Sequence, residues 1–114
     1  MAETTKAEAR YIRMSPQKAR LVIDLIRGRK VGDAIVALKV TNKRIAPVVE
    51  KVLRSAIANA ENKFTDVDVD KLFVREAYVN EGPRQKRVRP APQGRAYRYQ
   101  RRTSHIVVKV GERE

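Results

Sequence analysis

The chain has 114 residues, 42% of them hydrophobic, no Cys and no Trp, and it carries 26 Lys plus Arg against 13 Asp plus Glu, a formal charge of +13. That length suits one compact domain, and the missing cysteines exclude disulfides, thiolate nucleophiles and thiolate-ligated metals. No apolar h-region opens the chain and no run approaches the ~20 apolar residues that span a bilayer, so a soluble, cytoplasmic protein without a membrane partner is expected.

The charge is unevenly spread. Residues 1–80 hold 16 basic and 10 acidic side chains, a net +6, whereas residues 81–114 hold 10 and 3, a net +7 in less than half the length.

Residues 6–14, KAEARYIRM, alternate loosely and predict a strand with one half-buried face. Ser15-Pro16 then starts a helix, with a hydroxyl at the N-cap and proline at the first helical position, and Gly28 is placed to stop it. At 100° per residue Ala19, Val22, Ile23, Leu25 and Ile26 cluster on one side, and Gln17, Arg20, Asp24 and Arg27 on the other. Lys18 falls near the edge of the apolar side. It either snorkels to water or contacts phosphate beside the helix N-terminus.

Gly32-Asp33 opens a second, short helix through Thr41. The most regular pattern follows: Ile45, Val48, Val49, Val52, Leu53, Ala56, Ile57 and Ala60 keep i, i+3, i+4, i+7 spacing, which predicts a helix from about Arg44 to Glu61. Ala56, Ala58 and Ala60 would let another backbone approach closely. Asn59, at the edge of that stripe, needs partners for its amide, from the protein itself or from RNA.

Phe64 to Asp70 is polar and acidic and predicts a loop. Its alternating Asp66, Asp68 and Asp70 lack the glycine and distal glutamate of a calcium loop. Leu72 to Val79 predicts a strand whose apolar parity switches, Leu72 and Val74 on one face and Ala77 and Val79 on the other, which a bulge or a strong twist near Glu76 would reconcile. Ile106, Val107, Val108 and Val110 predict the last strand. Helices and strands in this order make an α+β fold.

Between those last two strands lies EGPRQKRVRPAPQGRAYRYQRRTSH, residues 81–105, with eight basic side chains against the single acid Glu81. Two extended arms and a Pro-Ala-Pro-Gln-Gly reversal read as a long β-hairpin protruding from the domain. Neither face has the apolar surface to lie on a core, and two strands alone are marginal in water. A polyanion on both sides would supply the missing support.

Catalytic equipment is thin. His105 is the single histidine, and its plain role is a polar strand residue near the hairpin root. No Gly-rich phosphate loop occurs, and Gly28, Gly32 and Gly82 are isolated. No enzyme activity, cofactor or metal site is expected.

What is present suits RNA. Arginine forks bind phosphate with paired hydrogen bonds and stack on bases. Tyr97 and Tyr99, interleaved with Arg95, Arg98 and Arg101, suit either stacking on unpaired bases or cross-strand packing within the hairpin.

Three separated segments, SPQKARLVIDLIRGRK (Ser15 to Lys30), SAIANAEN (Ser55 to Asn62) and EGPRQKRVRP…GRAYR…RRTSHI (Glu81 to Ile106), together resemble the bacterial large-subunit ribosomal protein L22 (uL22) family. The resemblance implies three helices against a three-stranded antiparallel sheet, seated by the exit of the nascent-peptide tunnel, with the hairpin running inward through 23S rRNA. It implies candidate rRNA-binding residues at Arg13, Lys18, Arg84, Lys86, Arg87, Arg89, Arg95, Tyr97, Arg98, Arg101, Arg102 and His105. The tunnel tip maps to Arg89, Pro90, Ala91, Pro92, Gln93 and Gly94. Implied partners are 23S rRNA, neighbouring proteins including ribosomal protein L4 near the tip, and the nascent peptide, with the chain a monomer within the ribosome that supports subunit assembly. Many members of the family carry a basic residue after the tip Arg-Pro where this chain has Ala91-Pro92. An architectural duplex-DNA-binding protein with a basic β-ribbon arm is the alternative on charge and shape, and an RNA-modifying enzyme is a third class that the thin inventory disfavours.

Overall fold

The computed structural model describes residues 4–63, 68–90 and 96–112; for residues 85–90 and 96–101 the description is of the backbone. Strand β1 (Thr4–Ile12) is followed by helices α1 (Pro16–Ile26), α2 (Val31–Val40) and α3 (Ala46–Lys63), one 3-10 turn (Val69–Lys71), and strands β2 (Leu72–Glu81), β3 (Gln85–Pro90), β4 (Ala96–Arg101) and β5 (Ser104–Glu112). The order β1-β5-β2 forms a three-stranded sheet, antiparallel throughout, while β3 and β4 pair in a second sheet of two strands. This is the expected α+β class.

The central strand β5 explains where the core sits. Ile106, Val108 and Val110 are fully buried and belong to one apolar cluster with Ala19, Val22, Ile23 and Ile26 of α1 and Val49, Leu53, Ala56 and Ala60 of α3. All three helices therefore back one face of the sheet. Along the regular stripe of α3 Val49, Val52, Leu53, Ala56 and Ala60 are buried and Val48 and Ile57 half-buried against the core, and Ile45, just ahead of the first turn, is buried with them at 3% exposure.

Of the three α3 alanines Ala56 and Ala60 are fully buried and Ala58 is exposed, so two of them serve close packing with β1. Thr5 of β1 is buried and its Oγ1 donates to the Ala56 carbonyl at 3.1 Å, and the Asn59 side-chain amide donates to the Lys6 carbonyl at 3.0 Å. Asn59 thus finds a partner inside its own protein.

Ser15 caps α1, its Oγ accepting from the Lys18 N–H at 3.4 Å, with Pro16 in the first turn. Gly28 follows at φ +78, a left-handed conformation that glycine adopts without strain. That turn lets the chain run back along β2: the Gly28 N–H donates to the Val74 carbonyl at 3.0 Å and the Val74 N–H to the Arg29 carbonyl at 2.8 Å. The pairing of β2 with β5 shifts register between Val74 and Glu76, so the parity switch is a β-bulge as expected.

Two expectations need correction. Leu25 is 39% exposed rather than buried, because at 100° per residue it lies roughly 110° from the centre of the Ala19, Val22, Ile23, Ile26 stripe. The acidic segment before β2 is not all loop: Asp68 Oδ1 accepts from the Asp70 N–H and caps the turn at Val69–Lys71, whereas residues 64–67, Asp66 among them, lie outside the described residues.

Candidate nucleic-acid interface

The two-stranded ribbon leaves the sheet through a tied junction. Glu81 pairs with Ser104 as the last register of β2 with β5. The Gly82 N–H then donates to the Thr103 carbonyl at 2.9 Å, and Thr103 Oγ1 donates to the Pro83 carbonyl at 2.8 Å. A Cβ at Gly82 would collide with the Thr103 hydroxyl, so this glycine is required by close approach. In the sequence this glycine is isolated and its need is hidden, because the collision depends on a residue 21 positions away.

Opposite charge steadies the same junction. The Arg84 guanidinium donates to the Glu81 carboxylate and holds its carboxyl below the ordinary value of 4.5, with the Arg84 charge itself as the next cause.

Beyond the junction the register is Gln85↔Arg101, Lys86↔Gln100, Arg87↔Tyr99, Val88↔Arg98, Arg89↔Tyr97 and Pro90↔Ala96. Every Lys or Arg in it lies opposite an uncharged residue. Like charges directly opposite one another destabilise a sheet, so this register spares the ribbon that directly opposed repulsion. It also sets each tyrosine opposite an arginine. Pro90 closes the pairing at the far end, where a missing N–H is tolerated.

The molecule measures 66 × 26 × 19 Å, with a Cα radius of gyration of 17.4 Å. A compact chain of this length would have about 13 Å. An elongated shape is what a basic ribbon running away from a small core produces.

The sequence-predicted site residues fall into three groups. Lys86, Arg87, Arg89, Tyr97, Arg98 and Arg101 lie in the β3–β4 pairing, with Arg89 and Pro90 at its far end. Arg84, Arg102 and His105 cluster at the root, Arg102 exposed and His105 half-buried on β5. Arg13 and Lys18 are exposed on either side of the Ser15 cap. An exposed Lys18 is compatible with both of its readings, a side chain in water and a phosphate contact beside the helix N-terminus. Arg95 and the tip residues Ala91, Pro92, Gln93 and Gly94 lie outside the described residues.

Two arginines have a structural task that periodicity does not disclose. Arg20 Nη2 donates to the Val79 carbonyl at 3.0 Å. Arg27 donates to the Ala77 carbonyl from Nε at 3.1 Å and Nη2 at 2.7 Å, while its Nη1 meets Asp24 at 2.7 Å. Both fasten α1 to β2, the strand that feeds the ribbon.

Comparison with known proteins decides which of the candidate classes applies. The family model for Ribosomal protein L22p/L17e matches residues 7–111. The chain belongs to the ribosomal protein L22 family. It is 75% identical over 109 residues to the large ribosomal subunit protein uL22 of Solibacter usitatus, covering 96% of each chain. It is 57% identical to the uL22 proteins of Macrococcus caseolyticus, over 96% of this chain and 87% of that one, and Staphylococcus haemolyticus, over 94% and 91%. The L22 family is structural and not enzymatic, so the ribosomal alternative stands ahead of both the DNA-binding and the RNA-modifying ones. Among the described residues no helix is long and apolar enough to cross a membrane.

Proposed function

We propose that this chain is a structural rRNA-binding protein of the large ribosomal subunit in the cytoplasm. Its residues form a single α+β domain by the peptide exit, and residues 81–105 protrude from that domain through 23S rRNA. The tip, Arg89 to Gly94, lines the nascent-peptide tunnel near ribosomal protein L4. Lys86, Arg87, Arg89, Arg95, Arg98 and Arg101 bind phosphate along the arms, and Arg13, Lys18, Arg84, Arg102 and His105 contact rRNA at the base. The protein acts as a monomer within the ribosome and supports subunit assembly by bridging RNA segments.

The observation that carries the reading is the paired ribbon itself. A two-stranded sheet with this composition is marginal in water, while RNA phosphate on both sides neutralises its charge and supplies the contacts a core would give. Sedimentation of a lysate tests it. The protein is expected to co-migrate with the large subunit; co-migration with nucleoid DNA and absence from the large subunit would overturn it.

A further inference from the structure

Tyr11 has a backbone conformation that its residue type does not favour. Its φ is +59, the left-handed region, where a bulky side chain is a true outlier and glycine or asparagine sits more easily. Among the described residues it is the one non-glycine with positive φ. The cause is a bulge: Ala9 pairs with Ile106 and Ile12 with Ser104, so two residues of β1, Arg10 and Tyr11, face the single residue His105 of β5.

The consequence is a change of face. By strand alternation Tyr11 shares the parity of Thr5, Ala7 and Ala9, which lie toward the helices. The bulge hands that inward position to Ile12, which packs against the core, and leaves Tyr11 62% exposed. His105 holds it there. The Tyr11 N–H donates to His105 Nδ1 at 3.1 Å, and the two rings meet edge to face with centroids 4.9 Å apart. With Nδ1 accepting, neutral His105 carries its proton on Nε2, which remains a donor.

Burial of Ile12 accounts for the bulge but not for a tyrosine in it, since glycine would make the same turn without strain. Strained residues persist where the surroundings over-determine them, and they mark sites of use. Here the strain holds an aromatic ring out from the ribbon root with exposed Arg10 and Arg13 on either side of it in the chain. Aliphatic neighbours would suit a protein partner; flanking guanidinium groups suit a nucleotide, whose base stacks on the ring while its phosphate meets the arginines.

We infer that Tyr11, positioned by His105, is a stacking platform for one unpaired base of the RNA at the foot of the ribbon. This rests on the RNA-binding function proposed above and adds a base-contacting residue to it.

The test compares Tyr11→Phe and Tyr11→Gly in the full chain, with an in vitro transcript of the large-subunit rRNA as probe and the thermal midpoint of the free protein as the second measurement. Tyr11→Phe keeps the ring and is expected to bind within about twofold of the parent. Tyr11→Gly removes ring and strain together and is expected to weaken binding about tenfold, within the range of one base stack, with a melting point no lower than the parent's. Unchanged affinity in Tyr11→Gly overturns the inference while leaving the RNA-binding reading intact. Weaker binding accompanied by a lowered melting point also overturns it, because the ring would then serve folding. A parent protein that fails to bind the transcript overturns the RNA-binding reading itself.

Discussion

The body and the ribbon use the same antiparallel pairing and reach order by different means. In the body, β5 lies between two strands and beneath the helices, with Ile106, Val108 and Val110 fully excluded from water, so apolar burial stabilises the pairing. In the ribbon, six register pairs hold Arg, Lys, Tyr and Gln with Val88, Pro90 and Ala96 as the small apolar share. Hydrogen bonding alone contributes little net stability per bond. The body is therefore expected to stay folded by its own composition, and the ribbon to depend on the RNA partner proposed above.

Removing the ribbon is the strongest way to break that comparison. Deleting Lys86 to Arg98 takes out five cations and joins Gln85 to Tyr99, positions close to register partners. Cooperative thermal unfolding is expected to survive, with the midpoint shifted by no more than about 5 °C for a loss below ~1 kcal/mol. Affinity for rRNA should collapse, and the slope of log K against log salt should flatten by about 3.5 to 4.5 if each deleted cation meets one phosphate. Loss of the cooperative transition would show that the core depends on the ribbon.

The two regions were also unequally legible in the sequence. The α3 stripe and the bulge in β2 could be read because burial imposes a period, and Val74 and Ala77 break that period visibly. Leu25 is misplaced when its apolar type is weighed above its angle, since at 100° per residue it already stands away from the Ala19, Val22, Ile23, Ile26 stripe. Gly82 and Tyr11 escaped for another reason: each answers to a contact far along the chain, Thr103 for one and His105 for the other. In the ribbon the charge was legible, but the pairing that keeps each cation opposite an uncharged residue was not, because neither arm has an apolar face to fix its register.

Core truncation should give the reverse of the ribbon deletion. Leu53 is fully buried between α3 and the sheet, and Leu53→Ala is expected to cost about 2–5 kcal/mol. Against a total of about 5–15 kcal/mol that is a large share, read as a lower midpoint in urea. The salt slope of RNA binding by the folded fraction should stay at the parent value. A changed slope would mean that body packing also sets the ribbon's phosphate contacts.

Arg27 sharpens the boundary between the two regions, because it is a cation serving the body. Two of its donors meet the Ala77 carbonyl, just past the β2 bulge. Arg27→Ala should lower stability by about 1–2 kcal/mol, the scale of a hydrogen bond from a charged group that is partly screened by water. Arg27→Lys should recover less than half of that, since one ammonium cannot reproduce the fork. RNA affinity unchanged in both variants would separate this arginine from those of the ribbon, and a fall in affinity without a fall in stability would place it with them.

The smallest effect is expected where body and ribbon meet. Glu81 is exposed, and its carboxyl is held below 4.5 by the hydrogen bond from Arg84 and by that residue's charge. A carboxylate whose folded value is depressed adds stability that is fully present above the unfolded value and is lost as pH falls through the folded one. Glu81→Gln should therefore leave the melting point at neutral pH within about 2 °C of the parent, the size of effect an exposed pair allows. Below pH 4.5 the parent should lose ground to the variant, so that the two melting curves converge on acidification. High salt should shrink the neutral-pH difference, because exposed charges are screened over roughly 3 Å at 1 M. Parallel pH profiles in low salt would mean that the Glu81–Arg84 pair does not steady the junction, leaving that task to Gly82 and Thr103.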